Sequence, residues 1–172
     1  MREFTKVSPT VWQSRRFQGL PSDDRKLLYF YLLTGPHNNS AGCFFLPEGY
    51  AVHDLGWSQD CYDAALQSLV AAQMVDHDPK NQVVLIERWF RHNPPMNPSH
   101  RKGTIGQIEK VKSDRLREKA YAALEAVENG AGGRKTNGGT QMPDKSGAYP
   151  APSNGVTAAH LKTPYITGKH RR

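Results

Sequence analysis

The stretch LGWSQDCYDAALQSLVAAQMV, residues 55–75, constrains the fold more than any other part of the sequence. Ser58 follows a Gly-Trp turn and is a good helix N-cap. Apolar residues then recur at intervals of three and four, at Tyr62, Ala65, Leu66 and Leu69. This spacing places them on one face of a helix. The stretch is therefore predicted to be the second half of a helix-turn-helix.

The segments on either side of this stretch complete a recognisable order of elements. A buried helix is predicted from Ser22 to a stop at Gly35-Pro36, followed by a short strand at 43–46 and a helix after Pro47. MVDHDPKNQVVLIERWF predicts two strands joined by a turn at 78–81. The order helix, strand, helix, turn, helix, hairpin is that of a winged helix, with the hairpin as the wing. The expected fold class is α+β, mainly α.

Composition divides the chain into four predicted segments. Residues 1–93 are the winged-helix domain, with a net charge of −1, and residues 94–172 carry +8. Within the second part, 94–103 is a proline-rich connector expected to be extended, 104–128 a basic helical extension, and 129–172 a disordered tail rich in Gly, Pro, Ser and Asn. This asymmetry predicts a neutral folded body with a basic extension that meets a polyanion. A merely solubilising tail is the alternative.

Several classes of protein are disfavoured by the sequence. The N-terminus lacks the apolar core of a signal peptide, and the longest apolar run, LLYFYLL, is too short to cross a bilayer. Cys43 and Cys61 stand apart and match no zinc spacing. There is no glycine-rich phosphate loop, HExxH motif or nucleophile elbow. We expect a cytoplasmic protein that is not an enzyme, with no catalytic residues, metal, cofactor or membrane partner.

Longer runs of the sequence resemble a known family. Trp12 and the run LPSDDRKLLYFYLLTGPHNNSAGCFFLPEGYAVHDLGWS, with RWFRHNPPMNPSHRKG after the predicted wing, resemble winged-helix proteins encoded by bacteriophages and prophages. These proteins are of the replication-initiator and DnaD-like N-terminal domain type. The resemblance covers about residues 1–112, and its most specific pieces are YLLTGPHNN, GCFFLPEGY, DLGWS and HNPPMNP.

The resemblance implies a DNA-binding winged helix that works in phage replication or gene control in a bacterial host cell. It also implies recruitment of a host replication protein as a partner. The chain departs from the family at Cys61, Asp63 and Ala64, where basic residues are typical, and at Gln73, where glycine is frequent.

Candidate DNA contacts fall into two groups. The helix after the turn of a winged helix lies in the major groove, so Ser58, Gln59 and Gln67 are predicted to meet base edges. Phosphate contacts are predicted for cations of the wing and the extension, namely Lys80, Arg88, Arg91, Arg101, Lys102, Lys110, Lys112, Arg115 and Arg117. Arg115 and Lys119 form a like-charged pair at a spacing of four residues, which does not stabilise a helix by itself. An anionic partner is therefore favoured.

Acidic residues in the predicted recognition helix support a different function. Asp60 and Asp63 would face a polyanion, which is unfavourable. The alternative is a winged-helix adaptor or inhibitor that binds a host or phage protein through this acidic face. A transcriptional repressor of the same fold stays open, as does the choice between duplex and single-stranded DNA. A homodimer would need an apolar face, for which the stripe on 104–128 is the candidate.

Overall fold

The computed structural model describes residues 5–131. The helices are α1 (Arg15–Gln18), α2 (Asp23–Thr34), α3 (Glu48–Leu55), α4 (Gln59–Ala71), α5 (Trp89–His92), α6 (Pro98–Glu109) and α7 (Asp114–Ala131). The strands are β1 (Cys43–Phe45), β2 (Val75–Asp78) and β3 (Val83–Ile86), and a short 3-10 helix, Pro9–Gln13, precedes α1. The described part is mainly helical with a small antiparallel sheet, as the predicted fold class requires. None of these helices is long and apolar enough to cross a membrane.

The sheet has the order β1-β3-β2, with both pairs antiparallel. The central strand β3 is buried at all four positions, which indicates that both faces of the sheet are covered. Asp78 stabilises the turn of the hairpin, because its carboxylate accepts the backbone N–H of Asn81 at 3.2 Å and the side-chain amide at 2.8 Å. The predicted strand at 43–46 and the predicted hairpin are confirmed.

The tight turn between α3 and α4 also forms as predicted. Gly56 ends α3 in the left-handed region, with φ of 66°, where glycine has no Cβ penalty. The Ser58 hydroxyl accepts the backbone N–H of Cys61 at 3.3 Å and caps α4. The apolar positions of α4 are buried, namely Tyr62, Ala65, Leu66 and Leu69.

Helix α2 has the predicted bounds, but the prediction that it is buried is wrong. Only Leu28 and Leu32 are fully buried, and Leu27 is 50% exposed. The helix packs on α4 with one side, and its remaining aromatic side chains, Tyr29, Phe30 and Tyr31, are half-buried against the core. Leu27 is the one large apolar side chain of α2 that is mainly exposed.

The region after the hairpin differs from the predicted connector. The Asn97 side chain accepts the backbone N–H of His100 at 2.8 Å and caps α6, which begins at Pro98. The expectation of an extended chain through residue 103 is wrong, because proline suits the first turn of a helix, where its missing N–H has no intrahelical partner. Helix α7 continues to Ala131, past the predicted end at 128. From residue 132 onward, the predicted disordered tail lies outside the described residues.

Helices α6 and α7 belong to the same hydrophobic core as the hairpin. Helix α7 contacts all three strands as well as α5 and α6. The buried side chains of this region are Ile108, Val111, Leu116, Ala120 and Leu124. The described residues, 5–131, belong to one compact unit, so the predicted boundaries at 93 and 103 do not separate domains. The apolar stripe assigned to a homodimer is used inside the chain.

Candidate nucleic-acid interface

The basic side of α7 meets carboxylates of the hairpin. Arg115 Nη1 donates to both oxygens of Asp76, at 2.9 and 3.0 Å, and its Nη2 donates to the His77 carbonyl oxygen at 3.0 Å. One turn along the helix, Lys119 Nζ donates to Asp76 at 2.6 Å and also to Glu87. The like-charged pair Arg115 and Lys119 is therefore bridged by a shared carboxylate.

The charged forms of Asp76, Arg115 and Lys119 are each favoured by their shared contacts. Burial raises the pKa of Asp76, but the hydrogen bonds from Arg115 and Lys119 outweigh it and hold that pKa below its usual value. Burial likewise lowers the pKa of Lys119, and the bonds to Asp76 and Glu87 outweigh it and raise that pKa. Arg115 thus has a carboxylate partner inside the protein. The like-charged pair was predicted to favour an anionic partner, and the carboxylate of Asp76 on β2 is such a partner within the chain.

Two more of the predicted phosphate contacts have partners within the chain. Arg101 on α6 binds Glu128 on α7 in a bidentate pair, with Nη2 to Oε2 at 3.0 Å. Arg117 donates to the Val111 carbonyl at 3.1 Å and to Asp114 at 2.6 Å. These arginines join α6, the loop that follows it, and α7.

The other predicted cations are exposed and, within residues 5–131, have no carboxylate at ion-pair distance. They are Lys80, Arg88, Arg91, Lys102, Lys110 and Lys112. An exposed cation without an internal partner can bind a phosphate without first breaking an ion pair. The structure thus separates the nine predicted phosphate contacts into three engaged arginines and these six available side chains.

Three of the available lysines lie at one end of the sheet. Phe45 and Asp78 both pair with Val83, so the end of β1 and the hairpin turn that carries Lys80 are adjacent. The Asn81 amide donates to Asp78 at 2.8 Å, and the neighbouring Ser113 and Asn81 side chains hold the pKa of Asp78 at about 2. Arg115, at the start of α7, donates to the His77 carbonyl oxygen at 3.0 Å, so the loop between α6 and α7 lies beside the same turn. In this loop Lys112 Nζ lies 5.9 Å from the centre of the Phe45 ring.

A groove runs between this loop and β1, and we call it the β1 groove. It has a volume of about 360 Å³ and is lined by His37, Asn39, Cys43, Phe44, Phe45, Val83, Gln107, Lys110, Val111 and Lys112. Phe45 is 52% exposed at its rim, and the His37 ring packs against the exposed Tyr50 ring, with centroids 4.9 Å apart and the ring planes tilted by 38°. Sequence reasoning missed this aromatic surface. Strand alternation was the available signal, since a buried Phe44 turns Phe45 outward.

The exposed face of α4 carries the predicted base contacts. The Ser58 hydroxyl caps the helix, and Gln59 Nε2 donates to Asp63 Oδ1 at 3.1 Å, so both polar groups are used locally. Gln67 is exposed. Asp60 and Asp63 have no cation at ion-pair distance within the described residues. This face therefore presents amides and carboxylates rather than positive charge.

Histidine 77 on β2 lies beside the same acidic face. Burial lowers the pKa of His77, and the nearby carboxylates of Asp78, Glu48, Asp76 and Asp63 oppose that shift without reversing it. Among residues 5–131, no group of three His, Cys, Asp or Glu side chains could hold a metal ion.

No family model, curated protein or solved structure matches the chain.

Proposed function

We propose that the protein is a winged-helix DNA-binding protein that holds DNA mainly through its phosphates. The order α2, β1, α3, α4 and hairpin, with a tight turn before α4, supports the winged-helix assignment. One observation carries the DNA-binding proposal. Lys80, Lys110 and Lys112 are exposed at one end of the sheet, on two adjacent loops, without a carboxylate at ion-pair distance among the described residues. Such a cluster complements a polyanion.

Sequence reading by α4 plays a smaller part in this proposal. Asp60 and Asp63 would face phosphates, and Gln59 is already bonded to Asp63. A phosphate-dominated grip gives affinity with limited sequence preference. A role in phage replication in a bacterial host rests on the family resemblance alone.

The test is fluorescence anisotropy of the full-length protein with a labelled duplex over a series of salt concentrations. Each phosphate contact contributes about −0.9 to the slope of log affinity against log salt, so Lys80→Ala/Lys112→Ala should make the slope shallower by about 1.8. Lys6→Ala/Lys26→Ala removes the same charge elsewhere and should leave the slope nearly unchanged. Equal changes of this slope in the two double variants would show that DNA affinity depends only on the net charge of the protein. Absence of binding at low salt to the duplex and also to a single-stranded oligonucleotide would end the proposal.

The acidic face of α4 supports a second candidate, an adaptor or inhibitor that binds a host or phage protein. The observation in its favour is that Asp60 and Asp63 are not neutralised within residues 5–131. Reversing both charges, with Asp60→Lys/Asp63→Lys, should abolish capture of a partner from host lysate, read by mass spectrometry. Capture of the same partner by wild type and variant would exclude this face.

A further inference from the structure

We propose that the β1 groove binds single-stranded DNA, with bases stacked on Phe45 and on the Tyr50–His37 pair, and with phosphates held by Lys110 and Lys112. This inference rests on the proposed DNA-binding function and gives it a strand preference and a site. The aromatic residues of this site are not among the DNA contacts that were predicted from the sequence.

The aromatic side chains of this surface are placed where a base could reach them. Phe44 is 4% exposed and belongs to the core, whereas its neighbour Phe45 is 52% exposed. Tyr50 is 54% exposed, and its ring lies at 38° to the His37 ring that lines the groove. Exposed aromatic rings beside cations are the usual components of sites for single strands, because every base has a face that can stack.

The β1 groove is open along one side. Within the described residues, β1 is an edge strand of three residues, and no further strand covers it. Its volume of about 360 Å³ falls in the range of roughly 300–1,000 Å³ that is typical of ligand sites. Gln107 lines it, and its side chain forms no hydrogen bond with residues 5–131, so its amide is available to a base edge. A duplex keeps its base faces stacked inside, and only unpaired bases can occupy such a groove.

The charges around the β1 groove favour a phosphate backbone. Asp78 accepts from the Asn81 amide at 2.8 Å, and Asp114 accepts from Arg117 at 2.6 Å. Glu109 is exposed and lies next to Lys110, so it partly offsets the two lysines of the loop. The lysine side chains are themselves exposed, and the Lys112 ammonium group stands over the Phe45 ring. A strand that passes along the loop would meet cations on one side and aromatic rings on the other.

The experiment measures anisotropy of the full-length protein with an oligothymidine of about 12 nucleotides and, separately, with a duplex of about 20 base pairs. Stacking on one aromatic side chain changes affinity by roughly 5- to 150-fold. Phe45→Ala and Tyr50→Ala should therefore each weaken single-strand binding by about fivefold or more, and leave duplex binding within about twofold. Leu27→Ala is the matched control, because it removes an equally exposed apolar side chain from α2. Circular dichroism checks that each variant is folded.

A Phe45→Trp variant gives a direct readout of stacking. A base stacked on this indole should quench its fluorescence when oligothymidine is added, beyond any change that the wild-type protein shows.

The outcomes separate the two proposals. Single-strand affinity unchanged in both alanine variants, or duplex affinity lost to the same extent, would overturn the β1 groove as a single-strand site. Wild-type protein that binds duplex but not oligothymidine would refute the β1 groove alone. Failure to bind either probe at low salt would refute DNA binding altogether.

Discussion

Replacing Asp76 with asparagine removes the negative charge that joins β2 to α7 and leaves the shape of the side chain nearly unchanged. In the wild-type protein this carboxylate accepts from Arg115 and Lys119 at distances of 2.6 to 3.0 Å. In Asp76→Asn the two cations would face each other, and Glu87 would remain for Lys119. We expect the variant to fold with reduced stability.

The size of the expected loss of stability follows from the solvent exposure of the three paired side chains. The side chains of Arg115 and Lys119 are 58% and 43% exposed, so solvent screens them, and each pair should contribute about 0.2–1 kcal/mol. The Asp76 side chain is only 17% exposed, which favours the upper part of that range. The loss in the free energy of unfolding should therefore be about 1–2 kcal/mol at low salt. Asp114→Asn is the matched control, since its carboxylate is 78% exposed and its pair with Arg117 should contribute about 0.3–0.5 kcal/mol.

Urea denaturation of both variants and the wild type measures the difference in the free energy of unfolding. The comparison requires that this free energy falls with urea concentration at the same slope in all three proteins. The pKa of Asp76 is lowered in the folded state, so its contribution is fully present above the unfolded value of about 3.9. It is lost as the pH falls through the folded pKa. The gap between wild type and Asp76→Asn should thus be largest near neutral pH and shrink below about pH 4. Equal midpoints for Asp76→Asn and Asp114→Asn at neutral pH would refute a structural role for this cluster.

Two further outcomes are expected. Gly42→Ala should cost about 2–4 kcal/mol, because φ is +62° and the added Cβ would lie 2.3 Å from Trp89 Cγ, displacing an indole that donates to the Ser40 carbonyl at 2.8 Å. Gly103→Ala, in open space on α6, should be neutral or stabilise the protein by up to about 1 kcal/mol. A thermal melt in which the Gly42→Ala protein is more stable than the Gly103→Ala protein would contradict the close contact between Gly42 and Trp89. Burial raises the pKa of the Cys43 thiol to about 12, so a maleimide at about pH 8 should modify only the partly exposed Cys61 in the native protein. Labelling of Cys43 in the absence of denaturant, detected by mass spectrometry, would contradict this expectation.

Local signals in the sequence were sufficient for the elements from α2 to the hairpin. The cap at Ser58, the apolar spacing of α4 and the turn after Asp78 each depend on residues within a few positions of one another. The proline-rich segment was wrongly predicted to be extended because its prolines are compatible with two local structures. Proline both disfavours a helix interior and suits a helix start, and Asn97 decides between them by capping α6.

Long-range pairing could not be predicted in the same way. Arg115 and Asp76 are 39 residues apart, and no period or motif in either segment specifies that they meet. All nine cations were therefore assigned to phosphates, although three of them bind groups inside the protein. The β1 groove was missed because it combines the edge of one strand with a loop more than 60 residues further along the chain.

The position of α7 across the sheet bears on how the chain folds during synthesis. Helix α7 contacts all three strands, and its buried Leu116, Ala120 and Leu124 follow the hairpin by roughly 30 to 40 residues. At about 5–20 residues per second, the hairpin leads Leu124 by ~2–8 s. During that interval one apolar face of the sheet has no cover, and it is open to a chaperone or to another nascent chain.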